Sequence, residues 1–211
     1  MRPPPAEFIT SVAAGGRVPS EGLPVVVLVG RSNVGKSSLI NALVKRRIAR
    51  SGSKPGTTRL LNVYRVSTPP HGIGTFLFVD LPGYGYARGG GRTRQAFDTL
   101  TRSFFDQVVV GTPPPGSGLR LAGVLLVVDV RHPGLASDIA ALTWAVERGY
   151  SVVVVATKAD RISRAARGRA PQAHIKALAS AQPVPLVIVS AETGENMGQV
   201  WTRLKELPRL L

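Results

Sequence analysis

Short apolar runs recur along this chain, each followed, after a polar break, by a stretch in which apolar residues return every three or four positions. Pro24-Val-Val-Val-Leu-Val29, Thr75-Phe-Leu-Phe-Val79, Val152-Val-Val-Val155 and Leu186-Val-Ile-Val189 are such runs. The pattern predicts strands near 24–29, 60–67, 74–79, 121–128, 151–156 and 185–189, and helices near 36–46, 92–108, 135–148, 170–181 and 195–207. Strands that are apolar on both faces must be covered on both faces. The expected fold class is therefore an α/β three-layer sandwich of about six mostly parallel strands. The 60–67 and 74–79 runs are joined by Thr-Pro-Pro-His-Gly and read as a hairpin, which makes one edge strand antiparallel. Residues 1–22 read as a partly ordered lead-in, and 23–211 as a single domain without repeats. Little chain follows Ser190 beyond a closing helix, so no appended RNA-binding domain is expected.

Candidate chemistry gathers where such a sheet binds ligands, at the carboxyl ends of its strands. Gly30, Arg31, Ser32, Asn33, Val34, Gly35, Lys36 and Ser37 match GxxxxGK[ST], set between a buried strand and a helix. A loop there turns backbone N–H groups and the positive end of a helix dipole toward a phosphate chain. Lys36 would reach the β- and γ-phosphates and Ser37 would ligate Mg²⁺. Neither side chain is expected in the core. In isolation the segment is also a plain Gly-rich turn with a stray lysine; its strand–loop–helix setting favours the nucleotide.

Two further strand ends select the base. Thr157, Lys158, Ala159 and Asp160 follow one buried run, and Val189, Ser190 and Ala191 close another. Asp160 can accept from the guanine ring N–H and its exocyclic amino group. Adenine offers neither donor, and charge-assisted bonds of about 1.5–3 kcal/mol favour GTP. The Lys158 stem can cover the base, and the Ala191 N–H can donate to the guanine oxygen. Asp80, Leu81, Pro82 and Gly83 form a DxxG segment, with Asp80 in the Mg²⁺ shell and the Gly83 N–H at the γ-phosphate. A threonine in Lys54-Pro55-Gly56-Thr57-Thr58-Arg59 would complete the metal site.

Segments GRSNVGKSSLINAL (30–43), SKPGTTRLLNVY (53–64), DLPGYGYA (80–87), VVDVRHP (127–133), TKAD (157–160) and SAETG (190–194) together resemble the bacterial EngB family. This family, also called YihA or YsxC, comprises ribosome-assembly GTPases of the TrmE-Era-EngA-EngB-septin-like superfamily. The resemblance runs from about Pro24 to Leu207. It implies a Ras-like P-loop GTPase fold and places Mg²⁺ on Ser37 and Thr58, with Gly56, Thr57, Arg59 and Leu60 also at the nucleotide. Thr57 stands where the family usually has a basic residue, Arg59 where it has Gln, and Thr157 where Asn is more usual. Asn33 occupies a position at which some related GTPases coordinate K⁺; a loop-bracing Asn is the alternative. The family's implied roles are building the large ribosomal subunit and supporting normal cell division and septation.

Hydrolysis of GTP to GDP and phosphate is expected to be slow. Ras-type enzymes place a water-orienting Gln directly after the DxxG glycine, whereas Tyr84 stands there. No catalytic residue is assigned. Gly85, Gly89, Gly90 and Gly91 predict a switch loop without preorganised geometry. Tyr84 and Tyr86 read equally as partner contacts or as packing residues.

Charge changes the picture of partners. The formal net charge is +15, and no Asp or Glu occurs from Gly22 to Val79, a span that holds Lys45, Arg46, Arg47, Arg50, Lys54, Arg59 and Arg65. A second acid-free stretch carries Arg161, Arg164, Arg167, Arg169 and Lys176. Such clusters attract phosphate backbones regardless of sequence. The expected partner is the large ribosomal subunit through its rRNA, with no DNA, no membrane anchor and a monomeric state. The other function weighed is an RNA-binding regulatory GTPase with another task, such as RNA modification or membrane-linked division control. Zero cysteines exclude disulfides and thiolate metal sites. No segment approaches the ~20 apolar residues of a membrane span or the core of a signal peptide, so a cytoplasmic location is expected.

Overall fold

The computed structural model describes residues 3–50, 60–68, 72–84, 99–109, 118–178, 183–208 and 210. Within them one seven-stranded sheet runs in the order β1-β3-β4-β2-β5-β6-β7. Its strands are β1 Ala6–Val12, β2 Pro24–Gly30, β3 Leu61–Ser67, β4 Thr75–Asp80, β5 Arg120–Asp129, β6 Val152–Thr157 and β7 Leu186–Ile188. The five strands from β4 to β7 are mutually parallel, whereas β3 pairs antiparallel with both β4 and β1. The expected hairpin is therefore present, and the antiparallel pairings lie at one side of the sheet.

The additional strand is β1, within the N-terminal segment for which the apolar pattern predicted none. Its burial is irregular, with Glu7 and Phe8 exposed, because it lies at the edge and covers little core. Pairing with β3 from Ala6–Val66 to Val12–Leu61 holds it in place. Arg65 of β3 adds ion pairs to Glu7 and Glu21, and Tyr64 meets the Phe8 ring edge-on.

Period-two alternation sorts the strand side chains into two layers of core. Val26, Leu28, Phe76 and Phe78 face α1 (Lys36–Val44) and α5 (Met197–Lys205), with Leu39, Ile40, Leu43, Val200 and Leu204 packed on them. Val25, Val27, Val79 and Leu126 face the opposite layer. That layer comprises α2 (described at 99–105), α3 (Ala136–Glu147) and α4 (Arg164–Leu178), which bring Leu100, Phe104, Leu142, Ala145 and Leu178.

Helix ends differ from the expectation where capping overrides hydrophobic spacing. α1 stops at Lys45, whose φ of 51° makes a left-handed C-cap. α4 starts at Arg164 rather than near 170, because the Ser163 hydroxyl accepts the Ala166 N–H. Pro171 consequently sits inside the helix, where it has no N–H to give the Arg167 carbonyl. No helix among the described residues is long and apolar enough to cross a membrane.

Candidate nucleotide site

The parallel strands β2, β4, β5, β6 and β7 deliver their carboxyl ends to one edge of the sheet, and the predicted motifs gather there. The loop from Gly30 leads into α1, with Gly35 as its N-cap. Val34 is buried, Arg31 and Ser32 are half-buried, and Asn33 is exposed with a φ of 59°. At Gly30 a side chain would collide with the Val127 carbonyl of the neighbouring strand, so this close approach of β2 to β5 requires glycine. Lys36 is buried, contrary to expectation, and its Nζ donates to the carbonyls of Gly30 at 3.1 Å and Arg31 at 3.3 Å. The lysine thus curls along the inside of the loop it was expected to serve.

Ser37 and Asp80 meet at the end of β4. The Ser37 hydroxyl donates to Asp80 Oδ2 at 2.7 Å, and Asp80 Oδ1 is a buried oxygen without a hydrogen-bond partner. Burial pushes the Asp80 carboxyl up, against the pull of the Lys36 charge and the Ser37 bond. Burial likewise pushes the Lys36 ammonium down, against the pull of Asp80. Both groups are short of charge compensation. An orphaned carboxylate oxygen beside a serine hydroxyl fits a hard divalent cation such as Mg²⁺, which takes oxygen ligands and carboxylates.

Leu81 and Pro82 are buried, and the Leu81 N–H extends the β4–β2 pairing to the Leu28 carbonyl at 3.2 Å. Gly83 and Tyr84 lie directly on the phosphate loop. The Ser32 N–H donates to Tyr84 O at 3.0 Å, the Tyr84 N–H to Gly30 O at 3.3 Å, and the Ser32 hydroxyl to Gly83 O at 3.2 Å. A Cβ at Gly83 would strike the Ser32 backbone. The Tyr84 hydroxyl turns toward α3 and donates to Asp138. That bond supports the packing reading of Tyr84. Leu60 is exposed ahead of β3. Gly56, Thr57, Thr58 and Arg59, with Tyr86 and the glycines at 85 and 89–91, lie outside the described residues.

The base-side segment is tied to the phosphate side by side chains. Thr157 Oγ1 lies 2.6 Å from the Val34 carbonyl and 3.1 Å from that of Val128, so one hydroxyl proton serves two acceptors. This buried bridge accounts for a hydroxyl residue where Asn is more usual. Lys158 has a φ of 66° and donates to the Asn33 carbonyl at 2.7 Å. Ala159 is buried, its N–H on the Val189 carbonyl at 3.0 Å, while the Val189 N–H reaches Ala156 O at 2.8 Å. Asp160 accepts from the buried Ser190 hydroxyl at 2.7 Å, and its other oxygen pairs with Arg161 at 3.1 Å. The Ser190 bond holds the Asp160 carboxyl below the usual carboxylate range. Arg161 is 68% exposed, so a base competing for that oxygen displaces a weak, solvent-screened pair. Ala191 is half-buried directly after the Ser190 anchor.

Three participants escaped assignment from sequence. Asp129 and Arg131, within the VVDVRHP segment, form a bidentate pair against Lys158, and Asp138 receives Tyr84. The visible signal for Asp129 was a lone carboxylate closing an otherwise apolar strand. Asp138 in α3 gave none. Among the described residues no group of three or more His, Cys, Asp or Glu side chains could hold a metal by themselves.

Fold and site together define a P-loop GTPase. A family model described as 50S ribosome-binding GTPase matches residues 25–158. The probable GTP-binding protein EngB of Pelotomaculum thermopropionicum is 42% identical over 192 residues, covering 90% of this chain and 89% of that protein. Its counterpart in Geobacillus kaustophilus is 36% identical over 200 residues, 94% of each chain. The chain belongs to the EngB family of GTP-binding proteins. Among solved structures, a variant of Aquifex aeolicus Era bound to GDP·AlF4⁻ superposes with a TM-score of 0.67 at 22% identity, covering 88% of this chain and 57% of that one. A probable GTP-binding protein EngB gives 0.61 at 18% identity, covering 87% and 97%. At these identities the two structures speak for the fold alone.

Proposed function

We propose that this EngB-family GTPase hydrolyses GTP slowly and acts as a nucleotide-dependent assembly factor for the large ribosomal subunit, in the cytoplasm and as a monomer. Support of normal division and septation is part of the same reading. The observation that carries it is the match of residues 25–158 to the model of a 50S ribosome-binding GTPase. The charge distribution supports it: Lys45, Arg46, Arg47 and Arg50 are exposed directly after α1, and Arg161, Arg164, Arg169 and Lys176 are exposed on and beside α4.

Hydrolysis requires the residues to bind, orient and neutralise. Lys36 would move from the Gly30 and Arg31 carbonyls to the phosphates, exchanging neutral acceptors for charged ones. Ser37 and Asp80, with Thr58, would hold Mg²⁺, which neutralises charge on the β- and γ-phosphates. Asp160, Lys158 and the Ala191 N–H would hold the base. Tyr84 offers no amide to orient water, and its hydroxyl is committed to Asp138. Unassisted turnover on the order of 10⁻⁴–10⁻² s⁻¹ follows by analogy with GTPases lacking an activator.

Co-sedimentation with purified ribosomal subunits, in GDP and in a non-hydrolysable GTP analogue, is the direct test. Binding to large subunits in one nucleotide state and release in the other is the expected result. Binding to neither subunit, or to small subunits alone, overturns the assembly role and leaves an RNA-binding GTPase with another task.

A further inference from the structure

Asp129 closes β5 and lies in register with Thr157 of β6, beside the segment read as base-recognising. Its side chain is only 8% exposed, yet it is fully occupied. Oδ2 accepts from Lys158 Nζ at 2.9 Å and Arg131 Nη2 at 2.7 Å, while Oδ1 accepts from Arg131 Nε at 2.9 Å and the Arg131 N–H at 3.1 Å. Lys158 Nζ spends a second proton on the Asn33 carbonyl of the phosphate loop. Its ammonium is thereby pinned between two fixed acceptors, one at the end of β5 and one on the phosphate loop.

We propose that Asp129 is a positioning residue for guanine-nucleotide binding, holding Lys158 stretched between Asp129 and the phosphate loop, with Arg131 bracing the carboxylate. The proposal rests on the reading of Thr157–Asp160 as the base site. Lysine has a flexible four-carbon stem with large rotamer entropy, and a free Lys158 would have to be ordered each time a nucleotide bound. Pinned at both ends, the stem is ordered by the fold and presents a fixed apolar plate to the base. A carboxylate suits this task because one oxygen can receive both cations while the other holds the Arg131 fork in plane. Arg131 is 41% exposed, so the brace sits at the rim and leaves the base face to Lys158.

The discriminating experiment is a double-mutant cycle read as the dissociation constants of GDP and GTP. Asp129→Asn preserves volume but removes the charge, and Lys158→Met preserves the stem but removes the ammonium. Each should weaken GDP and GTP equally by about tenfold, the scale of one charge-assisted hydrogen bond. The double variant should bind no worse than either single one, because both remove the same constraint. Losses that multiply, or an Asp129→Asn variant within about twofold of the parent, well below the effect of one such bond, overturn the proposal. A general loss of stability at the strand end would not vanish in the Lys158→Met background. If Asp129→Asn does not fold, Arg131→Gln tests the same brace, and its loss must likewise disappear beside Lys158→Met. Asp160→Asn, assayed with GTP against inosine triphosphate, serves as control. A parental preference for GTP there defeats the base-site reading itself, whatever Asp129 does. A reduced preference in Asp160→Asn but not in Asp129→Asn assigns recognition to the first and positioning to the second.

Discussion

The Tyr84 hydroxyl donates a 2.9 Å hydrogen bond to Asp138 Oδ1, tying the residue after the DxxG glycine to the first turn of α3. Asp138 is buried, and burial pushes its carboxyl up in spite of the Tyr84 bond. Burial and the Asp138 charge push the Tyr84 hydroxyl up in turn, so it remains a donor throughout the physiological range. Tyr84→Phe should cost about 1–3 kcal/mol, because a buried acceptor loses a donor. The fall in the urea midpoint measures it, and an unchanged midpoint would show that the bond adds nothing.

Ser37→Ala removes the hydroxyl that satisfies Asp80 Oδ2. It should weaken Mg²⁺-dependent GTP binding at least tenfold, about the effect of removing one charge-assisted bond. The nucleotide-free protein should also lose about 1–3 kcal/mol, since Asp80 is buried with its other oxygen unpaired. Titration of labelled GTP with and without Mg²⁺ separates the two effects. Equal affinity of parent and variant in Mg²⁺ would remove Ser37 from the metal site.

Asp160→Asn should lower guanine affinity and raise relative affinity for xanthine nucleotides. Xanthine carries a carbonyl where guanine has its amino group, and an Asn amide donates where a carboxylate only accepts. The Ser190 hydroxyl can still bond the Asn oxygen, so the segment should keep its shape. A variant that retains the parental GTP-to-XTP ratio contradicts the role given to Asp160.

His174 makes stability depend on pH. Burial holds its imidazole below the ordinary 6.5, outweighing the Val130 carbonyl bond and the Asp138 and Asp129 charges. The unfolded chain therefore binds this proton more readily than the folded one, and the His174 contribution to stability falls as pH drops below about 6.5, opposed by the raised Asp80 and Asp138 carboxyls as they take up protons. Urea midpoints at neutral and mildly acidic pH should show the decline, and His174→Gln should flatten it. The Asp129 carboxyl adds to this decline only below about pH 4, where its stabilising charge starts to be lost. Burial tends to raise it, but bonds from Arg131 and Lys158 prevail and hold it well below the carboxylate range.

Replacing Arg46, Arg47 and Arg50 by Gln should weaken association with large subunits. It should also flatten the log–log salt dependence by about 0.7–0.9 for each phosphate no longer neutralised. GTP affinity should change little, because these exposed side chains lie beyond the C-cap of α1, away from the loop. An unchanged salt slope would transfer the RNA-binding role to the α4 face.

Local chemistry wrote much of this protein into its sequence. The run from Pro24 to Val29, ending in a glycine loop and a helix, reads as a buried strand presenting backbone N–H groups, and Asp160 and Ser190 could be assigned to one base site from two strand ends. β1 was not legible, because an edge strand buries too little to leave a periodic pattern. Nor was the start of α4, where one Ser163 cap outweighs Pro171. Only the tertiary structure joined Thr157 to Val34, Tyr84 to Asp138 and Asp129 to Lys158. These bonds link residues far apart in the chain, and their geometry depends on strand register. Sequence fixes which side chains are polar, but register and burial decide which polar groups must find each other.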